Sequence, residues 1–88
     1  MKIKTPHGDF EIRELLFADR RKLHRLEIQA VSSDGEINQA RYFDILDWVM
    51  NFAFPDPGKI LSELDDNEVD EILASIYQEY KDISKKKK

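Results

Sequence analysis

Val69, Ile72, Leu73, Ile76, Tyr77, Tyr80 and Ile83 recur at i, i+3, i+4, i+7, i+8, i+11 and i+14, the spacing of one unbroken apolar stripe along a helix. That stripe limits the fold more than any other feature, because a helix that is apolar along one side must be buried against other elements. Asp65 or Asp66 caps its start, and Asp65-x-x-Glu68 resembles a capping box with aspartate in place of serine. Acidic residues crowd its first turn and lysines follow its end, each sign opposing the helix dipole where it stands.

A second helix is predicted from Asn38, a good N-cap, to about Phe54, where Pro55 forbids continuation. Ile37 before the cap can staple onto Tyr42. At about 100° per residue, Tyr42, Ile45, Val49, Phe52 and Ala53 share one face, and Leu46 bridges it to a flank of Phe43, Met50 and Phe54. The apolar arc is wider than a core-facing stripe of about 100°. Such an arc belongs at the centre of the domain, or is shared with a partner.

Residues 18 to 31 form a third helical pattern, with Leu16, Leu23, Leu26 and Ala30 spaced toward a narrow face. SSDG breaks it. At the start, MKIK and FEIRE flank TPHGD with a period of two, which predicts a β-hairpin. A hairpin alone is marginal in water, so it must lie on a helix or pair with another chain's edge. In FPDPGKILSEL, Asp56 can cap a short turn with Pro57 at its first position. The expected fold is mainly α (α+β): an N-terminal β-hairpin, three main helices and a short Pro-initiated helical turn. It forms a single small helical domain over residues 1 to 83, and a disordered lysine tail occupies residues 84 to 88.

A chain of 88 residues buries about 60 to 65% of its unfolded surface, leaving a modest core and little room to enclose an active site. There is no cysteine, hence no disulfide framework and no thiolate metal site. No segment approaches the roughly 20 apolar residues of a membrane span, and no signal peptide opens the chain. The expectation is a soluble, cytoplasmic protein that does not engage membranes.

DGEI followed by an aromatic helix invites comparison with an EF-hand loop. With Gly35 at the loop's glycine position, Ala30 stands where the first carboxylate belongs and Arg41 where the bidentate one belongs. Asp34 is the one carboxylate left at the positions that normally supply one, so the loop turns a corner rather than holding calcium. His7 and His24, the two histidines, read as solvated, and the acidic groups Asp44/Asp47 and Glu68/Asp70/Glu71 as hydrated helix faces. No glycine-rich phosphate loop is present. The sequence reads as no enzyme, with no cofactor and no metal.

Taken in order, a short hairpin, LLFADRRKLHRL, a polar DGEIN turn, ARYFDILDWVMNFAF and LDDNEVDEILASIYQEY resemble the tail assembly chaperones of tailed bacteriophages, in particular the small baseplate-hub assembly proteins of contractile-tailed phages. The likeness covers roughly residues 1 to 83 and rests on order, length and texture. It implies a non-enzymatic role in the host cytoplasm, binding an aggregation-prone tail or baseplate component and delivering it in assembly-competent form; many such proteins self-associate. One departure is Leu16 before Phe17, where threonine or serine would be expected to cap the first helix.

A chaperone of this kind needs apolar surface that a client can cover, rimmed by charge. Phe43, Met50 and Phe54 on the flank of the second helix are the candidates, with Trp48 as a separate aromatic between polar neighbours. Their competing place is in the core, under the hairpin or the Pro57 turn, and the sequence leaves both open. Self-association is expected from the open hairpin edges and the wide apolar arc. An alternative function is a small nucleic-acid-binding regulator using Arg20, Arg21, Lys22 and Arg25 with the lysine tail, against a net charge of -4. A solvated face is the plainer account of that cluster.

Overall fold

A computed structural model describes residues 1–31 and 35–86, with side chains through Ile83. The order is β1 (Lys2–Thr5), β2 (Gly8–Glu11), α1 (Phe17–Ala30), α2 (Gln39–Ala53), α3 (Pro57–Leu61) and α4 (Asp66–Lys86). This is the expected hairpin, three main helices and short Pro-initiated turn. The antiparallel hairpin sets Ile3 opposite Phe10 and closes with Thr5 opposite Gly8, whose φ of 120° is open to glycine at little cost.

α4 is the spine. Ile72, Leu73, Ile76 and Tyr80 of its stripe are buried, α2 packs along it, and β1 lies across it. Its start is a complete capping box: the Asp65 carboxylate accepts from the Glu68 N–H at 2.8 Å, and the Glu68 carboxylate accepts from the Asp65 N–H at 3.2 Å. A cap of this kind contributes about 1 kcal/mol. α4 runs on to Lys86, so residues 84 to 86 are helical in backbone rather than part of a disordered tail. Lysine is a good helix former and suits the negative end of the helix dipole. The last two lysines lie outside the described residues.

α1 packs against α2 and buries only Leu23 and Ala30, in keeping with its narrow stripe. Leu16 stands at the cap position as expected, but its place on the apolar face of α1 is corrected: it is exposed. A leucine has no oxygen for the helix N–H groups, so only the return half of a box is made, the Leu16 N–H donating to the Asp19 carboxylate at 3.2 Å. Asn38 and Asp56 cap α2 and α3 as expected, accepting from the N–H groups of Arg41 and Lys59.

The passage from β2 to α1 is buried more deeply than its sequence announces. Ile12 and Leu15 are in the core, which obliges the backbone between them to find partners. The Arg13 N–H donates to the Ala53 carbonyl at 3.0 Å, and the Tyr80 hydroxyl donates to the Arg13 carbonyl at 2.6 Å. His7 is a second correction. Its side chain is 23% exposed and lies 3.6 Å from Glu68 and 3.1 Å from Glu71, so the hairpin turn leans on the acidic start of α4 instead of reaching into solvent.

Burial holds the Tyr80 and Tyr77 phenols well above the usual tyrosine range, with the Glu27 carboxylate adding to the effect at Tyr77. A raised folded-state pKa means the unfolded chain loses its protons first, near about pH 10. Stability should therefore hold below that pH and fall as pH rises through it. Urea unfolding at stepped alkaline pH is expected to show this decline, with part of the slope lost in Tyr80→Phe. At neutral pH that variant should be less stable by about 1–2 kcal/mol, because the Arg13 carbonyl is left unpaired.

Candidate functional site

The wide apolar arc of α2 divides by environment. Ile45, Leu46, Val49 and Ala53 are buried, and α2 packs against both α1 and α4. Phe54, at 2% exposure, is sealed in the core, its ring edge-on to Phe10 with centroids 5.9 Å apart. It is therefore no docking residue: the chain turns at Pro55 and the hairpin closes over it. Met50 is half-buried against the same core. Trp48 is not a separate aromatic either. It stacks on Phe52 with rings 5.0 Å apart and nearly parallel, and Phe52 meets Tyr80 edge-on at 5.8 Å, while the Arg13 guanidinium lies 4.9 Å from the Phe52 ring. This stack roots the indole in the fold and leaves it half-exposed.

Phe43 stands apart, 58% exposed. It lies on the wall of a groove between α2 and α4, with Tyr42, Leu46 and Ala74 forming the floor and Asp70 and Glu71 opposite. Tyr42 and Ala74 also line an adjoining cleft of about 370 Å³ that reaches Val31 and Ile37. Val31 and Ile37 pair backbone to backbone across the loop between α1 and α2 and are both exposed. The backbone there is closed by the Asn38 N–H donating to the Ala30 carbonyl at 2.8 Å, and Gly35 takes a φ of 88°.

The cleft has a polar anchor in Tyr77. Its hydroxyl donates to Glu27 at 2.6 Å, its ring meets Tyr42 at 6.3 Å, and the Lys81 ammonium sits 5.0 Å from its centroid. The phenol stays protonated at neutral pH and serves as a donor to Glu27.

The basic cluster is elsewhere, on α1. Arg21, Lys22, His24 and Arg25 are exposed, and Arg20 turns its guanidinium to the Phe17 ring at 5.3 Å. The carboxylates nearest in sequence are otherwise engaged, Asp19 with Leu16 and Glu27 with Tyr77. Among the described residues no ion pair joins these cations to a carboxylate. Asp34 of the loop compared with an EF-hand lies outside the described residues. Among the described residues no cluster of three His, Asp or Glu side chains could hold a metal ion, and no helix is long and apolar enough to cross a membrane.

Sequence reasoning missed Phe17 and Ile28, 69% and 62% exposed. Spaced i and i+11, they share the outer side of α1 with Arg21 and Arg25, opposite Leu23; the same angular plot used for α2 would have found them. The exposure of Val31 and Ile37 had no such signal, because it follows from how the loop closes. Comparison with protein-family models, with curated proteins and with solved structures finds no match.

The division of the arc has a direct check. Phe54→Ala should cost about 3–5 kcal/mol of unfolding free energy, from lost burial and a cavity. Phe43→Ala should change it by no more than about 0.5 kcal/mol. Urea denaturation of both variants separates core from surface.

Proposed function

We propose that this chain is a non-enzymatic assembly adaptor that holds another polypeptide against the α2–α4 groove, with Phe43 as the principal contact and Val31 and Ile37 extending the surface. The exposure of Phe43 beside that groove carries the reading. A large aromatic on a rigid helix, next to a concave apolar strip, gives a partner somewhere to bury a side chain at little entropic cost. Asp70 and Glu71 on the opposite wall keep the free surface hydrated.

The resemblance of the element order to the tail assembly chaperones of tailed phages supplies the class of partner. On that reading the client is a tail or baseplate structural protein, met in the cytoplasm of the host. Trp48 and Met50, half-exposed at the other end of α2, offer secondary contacts. Phe54 has no part in it.

Co-expression with candidate tail and baseplate proteins tests the proposal. A true client should be retained on the wild-type chain and gain solubility, and Phe43→Asp should reduce retention at least about tenfold, the effect of losing about 1.4 kcal/mol. Retention of no candidate, or equal retention by Phe43→Asp, would overturn it.

A further inference from the structure

The outer side of α1 and the α2–α4 groove are opposite in charge and alike in carrying exposed apolar groups. On α1, Phe17 and Ile28 stand about 16 Å apart along the axis, with Arg21 and Arg25 between them and a shallow cleft bounded by Arg21, Arg25 and Ile28. α1 carries four cations and two carboxylates in a chain of net charge -4, so the remainder of the molecule is more acidic than the whole. That acidity is concentrated in part around Phe43: Asp47 follows it by one helical turn, and Asp70 and Glu71 face it across the groove. The two surfaces have no residue in common. One copy can therefore use both at once.

We infer that the outer side of α1 of one copy docks head to tail in the α2–α4 groove of a second copy, Phe17 and Ile28 packing toward Phe43 while Arg21 and Arg25 face Asp47, Asp70 and Glu71. The contact is heterologous, so it closes into a ring or extends as a chain according to its rotation. Exposed ion pairs are individually weak and screened by salt, which makes the association reversible. A polypeptide that covers Phe43 competes with the second copy. The inference needs only the two surfaces, not the identity of any client.

Light scattering of the whole chain against concentration, at low salt and at about 1 M, where the screening length is near 3 Å, tests it with two charge-reversed variants. The wild type should gain mass with concentration at low salt and return toward monomer at high salt. Arg21→Glu with Arg25→Glu, and separately Asp47→Lys with Asp70→Lys, should each associate at least about tenfold more weakly. An equal mixture of the two should recover association, since each then presents a surface complementary to the other. A wild type that stays monomeric, a variant that associates alone as the wild type does, or a mixture that does not recover overturns the inference. Retention of a short DNA duplex by the wild type, lost in Arg21→Glu with Arg25→Glu while self-association is unaffected, also overturns it and assigns α1 to nucleic acid. Client retention measured on Arg21→Glu with Arg25→Glu, whose positions lie outside the groove, keeps the two proposals apart: loss of self-association with capture through Phe43 retained is expected, whereas absent self-association in the wild type with intact capture removes this inference alone.

Discussion

Tyr80 sits where three parts of the molecule meet, and the fold depends on how it is satisfied. It belongs to the apolar stripe of α4, its ring meets Phe52 of α2 edge-on, and its hydroxyl donates to the Arg13 carbonyl in the passage between hairpin and α1. A buried phenol without an acceptor would cost about 1–3 kcal/mol. So would a buried carbonyl without a donor. Each settles the other, and the pairing lets the passage lie against the core beside Ala53, whose carbonyl takes the Arg13 N–H. With the passage fixed there, Ile12 and Leu15 can both be buried, and the hairpin is held on α4 rather than left as an isolated two-stranded ribbon.

That arrangement gathers the buried side chains into one core. Phe54 and Leu46 complete the centre, and Trp48 and Phe52 extend it outward as a stack. Seven large apolar residues lie on the outside among the described residues: Phe43 beside its groove, Val31 and Ile37 at the loop, Leu16 at the cap of α1, Phe17 and Ile28 along it, and Ile60 on α3. Single exposed apolar residues are ordinary on small proteins. Phe43 lies beside the carboxylates Asp70 and Glu71, and Ile28 beside Arg21 and Arg25, so two of these surfaces are opposite in charge.

Local chemistry made much of this legible before any tertiary contact was known. The caps at Asn38, Asp56 and Asp65 each need one side-chain oxygen and a neighbouring N–H, so their positions could be read directly. The stripe of α4 and the faces of α2 follow from helical periodicity, which the backbone enforces whatever else happens. Leu16 was rightly set at the cap but wrongly counted with the buried face of α1, because helical spacing does not extend past the cap, where the chain is extended. His7 was misplaced because its partners, Glu68 and Glu71, are distant in sequence. The candidate site was only partly legible: the flank of Phe43, Met50 and Phe54 was recognised as a unit, but its division into one exposed, one half-buried and one sealed residue was not.

The sequence by itself determined which segments are helix or hairpin, roughly where each begins, and which faces are apolar, since these depend on neighbours a few residues away. Tertiary structure alone decided which apolar faces end inside. Phe43 and Phe54 are eleven residues apart and share a side by helical spacing, yet Phe54 falls at the C-cap of α2, where the chain reversal at Pro55 and the hairpin cover it and leave Phe43 open. Burial is a property of what lies across the gap, and a linear pattern carries no record of that distance.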